Sequence, residues 1–341
     1  NTMPRLHNLG FPRIGARREL KQALEAYWAG SLQASELEHV AASLRQRHWQ
    51  LQADAGVELI PVGDFAWYAQ LLEWSCLLVA VPARFAQADD QPVTLDTLFR
   101  MARGRAPSGT PAAACEMTKW FDTNYHYIVP ECDASTAFAL HPERLQAQIT
   151  EARNQGVTPK PVIIGPITYL WLGRAKDDTN PLDLLDRLLP VYAELLERLA
   201  DQGIDWIQVD EPILVTELDL AWRHAFNLAY HHLKTTAPKL LLTPYFGDLR
   251  ENLQLACDLP VAGLHLDAIS APQEVSRVAD WLAPHTVLSV GVVNGRTLRR
   301  TNLSKTLDRL EPLHAAPGGR LWLAPPRPML HLTGARDHAH P

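Results

Sequence analysis

The stretch Ile204-Asp-Trp-Ile-Gln-Val-Asp-Glu-Pro212 decides the fold. It is a near-continuous apolar run that ends on two carboxylates and a proline. A second run of this kind is Pro161-Val-Ile-Ile-Gly165. Such runs suit parallel strands covered on both faces. Working outward, apolar segments bounded by turn residues recur at 9–14, 58–64, 125–130, 161–167, 206–211, 240–245, 263–267, 287–293 and 320–324. Amphipathic helices fill the gaps. Ser35-Glu-Leu-Glu38 has capping-box spacing and opens a helix that Gly56 stops. Pro142 and Pro181 stand where a first helical residue belongs and open helices over 141–155 and 180–201. The second helix has a wide apolar face of Leu184, Leu185, Leu188, Leu189, Tyr192 and Leu196, with Pro190 as an internal kink. This alternation predicts an α/β fold, a single-domain (β/α)8 TIM-type barrel over residues 1–330 with a polar, disordered tail at 331–341. Nine strand candidates compete for eight places, so one is misread or sits outside the barrel. The stretch Ala102–Ala114 reads as a long loop.

Composition narrows the function classes. The chain has 341 residues, net charge −6, 47% hydrophobic and 21% charged residues, as in an ordinary soluble globular protein. Interspersed charge argues against non-specific nucleic-acid binding. No apolar run reaches the ~20 residues that span a bilayer. The start lacks an apolar signal region, and Cys76, Cys115, Cys132 and Cys257 are widely spaced, as thiols of a cytoplasmic protein are.

Against the acidic background, Arg13, Arg17, Arg18 and Lys21 crowd one strand-to-helix connection. Helix starts and arginine forks both favour carboxylate or phosphate, so this reads as an anion-docking site. The alternative is a solvated first turn whose arginines pair with nearby acids. Lys119, in the polar-tipped segment Glu116–Tyr127, is a second candidate anion contact. Trp120, Tyr125 and Tyr127 either pack or stack on a ligand, and His126 is a candidate for the barrel mouth. Asp210 and Glu211 end a strand, and adjacent residues there face opposite ways. Only one of them points into the mouth, as a base, an amine contact, an ion-pair member or a cap. Asp64, after Gly63, is expected to cap the next helix. Arg296, after a strand end, is a weaker anion contact. No Cys or His spacing suggests a metal site, and there is no glycine-rich phosphate loop.

Taken in order, Leu9-Gly-Phe-Pro-Arg-Ile-Gly-Ala-Arg-Arg-Glu-Leu-Lys21, Pro61-Val-Gly-Asp-Phe-Ala-Trp-Tyr68, Gly104-Arg-Ala-Pro-Ser-Gly109, Glu116-Met-Thr-Lys-Trp-Phe121, Asn124-Tyr-His-Tyr127, Gln208-Val-Asp-Glu-Pro212 and Val293-Asn-Gly-Arg296 closely resemble the N-terminal half of cobalamin-independent methionine synthase. The resemblance spans about residues 8–323. It implies one of two (β/α)8 barrels of a methyltransferase that carries a methyl group from 5-methyltetrahydropteroyltri-L-glutamate to homocysteine. It also implies that Arg18, Glu19, Leu20, Lys21 and Lys119 contact the folate, whose polyglutamate tail is anionic. Arg13, Arg17, Asp210 and Arg296 are weaker members of that set. The catalytic zinc belongs to the C-terminal barrel. The places that match its ligands are here Thr243-Pro-Tyr245, Asp267 and the segment after Trp322, so no cofactor is expected in this chain. Asp210 reads as a structural echo of a homocysteine-binding aspartate. The expected partners are the folate and that second barrel, with no nucleic acid and no membrane, and the isolated chain is expected to be silent. The end departs from the family: Pro325-Pro-Arg-Pro-Met-Leu-His331 stands where a Ser-Cys-Ser-Leu-Leu-His pattern is usual. Two rivals remain: a stand-alone hydrolase or decarboxylase using Asp64, Asp210 or Glu211, and a non-catalytic binding barrel.

Overall fold

The computed structural model describes residues 4–10, 18–88, 90–120, 126–234, 238–292 and 320–325. Eight parallel strands make one sheet: β1 (Arg5–Leu6), β2 (Leu59–Val62), β3 (Thr158–Ile164), β4 (Trp206–Asp210), β5 (Lys239–Thr243), β6 (Gly263–Asp267), β7 (Val287–Gly291) and β8 (Leu321–Ala324). From β2 to β8 each strand pairs with the next, β8 returns to β1, and a bridge from His7 to Leu59 closes the barrel. The atypical chain end therefore does not prevent closure, because Trp322 and Leu323 pair with Arg5 and Leu6.

Helices α1 (Glu19–Trp28) and α2 (Ala34–Asp54) separate β1 from β2. Between β2 and β3 lie α3 (Gln70–Leu77), α4 (Leu95–Arg103) and α5 (Glu143–Asn154). The same insertion carries an antiparallel hairpin that pairs Met117–Lys119 with His126–Ile128. Then come α6 (Pro166–Leu172), α7 (Leu185–Asp201), α8 (Leu220–His232), α9 (Leu253–Asp258) and α10 (Val275–Trp281).

Packing explains the order. On α7, Leu185, Leu188, Leu189, Tyr192 and Leu196 are all buried, which is the apolar face read from the sequence. Each such side chain contributes roughly 1.5–3 kcal/mol. They meet the outward residues of the strands, such as Ile163, Ile207 and Val209, in one large core. A second apolar cluster joins Leu20 and Leu24 of α1, Leu37 and Leu44 of α2, Phe99 of α4 and Ile128 of the hairpin. The barrel floor is filled by Leu59, Trp206, Leu241 and Trp322, with the two indoles edge-on at 4.5 Å. The interior is therefore packed rather than a pore.

Several expectations need correction. Among the described residues the first strand is Arg5–Leu6, ahead of the expected 9–14, of which 11–14 lie outside the described residues. Leu9 is apolar, but side chains inside the barrel take its carbonyl and that of Asn8, so the ladder stops at His7. The surplus strand candidate, 125–130, falls on the hairpin outside the barrel. The capping box is Gln33 with Glu36, two residues earlier than Ser35 with Glu38. The helix expected at 180 begins as a 3-10 turn, Pro181–Leu184, with the Asn180 side chain accepting from Leu182 N–H. Asp64 does not cap α3. The cap position is Ala69, and Glu73 accepts the Trp67 N–H instead. The tail at 331–341 lies outside the described residues.

Gly63 ends β2 with φ +90°, and a Cβ there would meet Leu145 Cδ1 at 2.8 Å and the Val162 carbonyl at 3.2 Å. Gly63→Ala is expected to cost about 1–3 kcal/mol, from left-handed strain plus overpacking. A thermal midpoint equal to the wild type would refute this.

Candidate functional site

The working end of such a barrel is the C-terminal side of its strands. Here that end is covered. Trp120, 3% exposed at the end of the hairpin's first strand, rests against Phe246, with ring centroids 6.0 Å apart, and against Tyr127 at 6.3 Å. Phe246 in turn packs edge-on against Tyr245 at 4.9 Å. Trp120 and Tyr127 thus pack, and Tyr125 lies outside the described residues.

Beneath them, Asp210 and Glu211 diverge as strand geometry requires. Asp210 points into the lumen. Its Oδ1 accepts from Gln208 Nε2 at 2.7 Å and its Oδ2 from the Tyr245 hydroxyl at 3.1 Å. Glu211 points outward and accepts the Thr168 N–H at 2.7 Å, in the first turn of α6, and the Tyr230 hydroxyl of α8 at 2.7 Å. Both carboxyls are pushed up to about 7, chiefly by burial and against the hydrogen bonds they receive. Both are sealed from solvent and they share no open cleft, so they do not form the acid pair a hydrolase needs.

The lumen holds a polar ladder that the sequence reading missed. Lys160 Nζ lies 2.7 Å from His7 Nδ1 and 2.5 Å from the Asn8 carbonyl. With Nδ1 accepting, a neutral His7 carries its proton on Nε2 and donates to Ser289 Oγ at 2.7 Å. Ser289 then donates to His265 Nδ1 at 2.8 Å. Burial holds His7 well below its usual range and pulls Lys160 down to about 7, the latter against the carboxylates of Asp210 and Asp64. A signal was present: Pro159-Lys160-Pro161 and Leu264-His265-Leu266 each place one polar side chain on alternating positions of a buried strand.

The basic residues sit elsewhere. Arg18 occupies the cap position of α1 with φ 56°, a left-handed conformation that non-glycine residues seldom hold. Lys21 and Lys119 are both exposed, and each is next to a buried anchor, Leu20 at 0% and Trp120 at 3%. Among the described residues neither lysine has an acidic partner in ion-pair range. His126, directly across the hairpin from Lys119, is also exposed. Glu19 pairs with Arg47 of α2 at 3.2 Å. The Leu20 side chain is core, which leaves only its main chain to meet a ligand. Arg13, Arg17 and Arg296 lie outside the described residues.

Of the zinc-equivalent positions, Thr243, Tyr245 and Asp267 are described, and the segment after Trp322 is described only as far as Pro325. Asp267 accepts from the N–H groups of Ile269 and Ser270 and from the Ser270 hydroxyl. Thr243 bonds to the Leu241 carbonyl and Tyr245 to Asp210. These three described residues bring neither the thiolate nor the imidazole donors that zinc takes. Among the described residues, no group of three His, Cys, Asp or Glu could hold a metal ion. No helix among them is long and apolar enough to cross a membrane.

The sequence model of the cobalamin-independent synthase, N-terminal domain, matches residues 5–317. The chain belongs to this family. The synthase-domain fold is shared with a B12-independent methionine synthase from Shewanella sp. W3-18-1 solved with selenomethionine, at TM-score 0.68 and 15% identity over 99% of this chain and 95% of that one. A methyltransferase from Methanosarcina mazei matches at TM-score 0.59 and 12% identity, over 99% of this chain and 92% of that one. At such identities the likeness concerns the fold, and it extends over more than nine-tenths of each matched chain.

Proposed function

We propose that this synthase domain docks 5-methyltetrahydropteroyltri-L-glutamate through its anionic tail, for methyl transfer to homocysteine completed on a second, zinc-bearing barrel. Family membership over residues 5–317 supports the substrate class. The observation that carries the residue assignment is the presentation of Lys21 and Lys119: two exposed cations, each rooted by an adjacent buried side chain on a regular element. Arg18 at the start of α1 adds a planar donor fork for a carboxylate. Arg13, Arg17 and Arg296 are further contacts in this reading. Glu19, tied to Arg47, and Leu20, sunk in the core, hold the run in place. Asp210, buried under Tyr245, orients its neighbours rather than meeting substrate. The chain's own role is to bind and orient, so alone it is catalytically silent.

Calorimetric titration with methyltetrahydrofolate triglutamate at low and moderate salt tests this. Binding that weakens with salt is expected. Lys21→Ala or Lys119→Ala is expected to weaken the triglutamate about three- to tenfold and the monoglutamate less, since each lysine faces tail carboxylates in solvent. Equal losses for both forms would show that these lysines do not read the tail. An absence of binding in both buffers would overturn docking by this domain on its own.

A further inference from the structure

A cavity of about 270 Å³ lies between α3, α4 and α5, beside the end of β2. Phe65, Trp74, Leu98 and Leu145 give it apolar walls. The Trp74 ring is fixed by its Nε1, which donates to the Tyr192 hydroxyl at 2.7 Å. Half-buried Val93 lines the outer side. The loop before it is tied down by His141, whose Nε2 donates to the Asp90 carbonyl at 2.6 Å and whose Nδ1 donates to the Glu143 carboxylate at 2.9 Å. Two carboxamides also line the cavity, Gln70 at the start of α3 and Gln148 on α5. Gln70 is 9% exposed, and Gln148 Oε1 is sealed from solvent. Among the described residues neither side chain has a hydrogen-bond partner. Buried amides in native proteins are nearly always paired, so two unpaired ones on a single cavity need a reason. Leucine at either position would fill the space and leave no polar group to satisfy.

We propose that this cavity is a binding site for a small, uncharged, planar cyclic amide, whose N–H and C=O pair with the Gln70 and Gln148 carboxamides. Each carboxamide offers donors and an acceptor, and the group that complements it is another amide. The unpaired groups are neutral, so the ligand need bring no charge. The walls ask for a flat apolar body, which packs against Phe65 and Trp74 in offset or edge-on fashion. Size sets the scale: a dry protein cavity of about 150 Å³ already admits benzene, so this one has room for two fused rings. The site stands apart from the docking reading above, because neither Lys21 nor Lys119 lines it.

The probe is quinolin-2-one, two fused rings with one lactam edge, titrated calorimetrically into the full chain. A ligand of this size is expected to bind with a dissociation constant of about 0.1 mM. Its N-methyl analogue keeps the rings but loses the N–H, and should bind about tenfold more weakly, the worth of one hydrogen bond. Gln70→Leu and Gln148→Leu should each weaken quinolin-2-one by about the same factor. Neither should lower the thermal midpoint, because each removes an amide that has no partner to lose. Val93→Trp, which fills the cavity from its outer side, should abolish binding. Methyltetrahydrofolate triglutamate should leave quinolin-2-one in place. No binding at about 1 mM, ten times the expected constant, would overturn the proposal. So would equal affinity for the lactam and its N-methyl analogue together with unchanged affinity in both leucine variants. A midpoint lowered in both leucine variants would show that the amides are already satisfied within the fold, and would overturn it as well. Displacement by the folate would overturn a separate site and leave the docking reading standing. Should one leucine variant not fold, the other decides by the same titration.

Discussion

Glu211→Ala is expected to lower stability by about 3–5 kcal/mol, because it strands two buried donors and opens a cavity. The Glu211 carboxylate lies outside the lumen, between the end of β4 and two helices, where it takes the Thr168 N–H and the Tyr230 hydroxyl. The site is built around it: a Cβ on Gly165 would come within 2.1 Å of its carboxyl carbon. Glu211→Gln keeps the shape and one acceptor and should lose much less. Titration separates the two further. Burial raises the Glu211 carboxyl to about 7, so folding takes up a proton. A raised carboxyl contributes its stability fully below the unfolded value near 4.5 and loses it as pH rises through about 7. The glutamine variant lacks this titration. Wild type should therefore lose ground to it between those limits, by at most about 1.4 kcal/mol per pH unit. Urea midpoints of the three proteins at about pH 4.5 and about pH 8, on either side of that window, check both points. An alanine variant within 1 kcal/mol of wild type (roughly the worth of a single hydrogen bond) would mean that Glu211 is not structural.

The sequence disclosed those parts of the fold that rest on local pattern. The run that ends at Val209 reads as a strand covered on both faces, and Ile207 and Val209 are buried as that pattern requires. The α7 face is legible for the same reason. What stayed hidden depends on partners far away in the chain. Leu9 looks like a strand residue, and nothing nearby announces that Gln208, on another strand, takes its carbonyl. The segment 125–130 has strand composition, but only its pairing with Met117–Lys119 puts it outside the barrel. At the site, the divergence of Asp210 and Glu211 follows from strand alternation alone, whereas the Lys160–His7–Ser289–His265 ladder joins distant parts of the chain, and the single polar positions that mark Lys160 and His265 in buried strands do not name their partners. The basic run was legible because charge is a property of composition. Its presentation was not, since that needs the burial of Leu20 and Trp120.

Reversing both lysines, Lys21→Glu with Lys119→Glu, should then have the largest effect on binding. Each change swaps an attraction for a repulsion towards a tail that carries several carboxylates. Exposed pairs are worth up to about 1 kcal/mol each, so two reversals should cost about 3 kcal/mol at low salt, roughly a hundredfold in affinity. The folate head has few charges, so the monoglutamate should lose about tenfold or less by the same count. Salt supplies the internal check. The gap between wild type and the double variant should shrink as ionic strength rises, because the Debye length falls from about 10 Å at 0.1 M to about 3 Å at 1 M. Stability should barely change, because both side chains are exposed and the buried anchors beside them are untouched. A double variant that binds triglutamate as wild type does, at every salt concentration, would move the docking site away from the start of α1 and the hairpin. The family's fold would stand, and a different surface of this barrel would have to receive the tail.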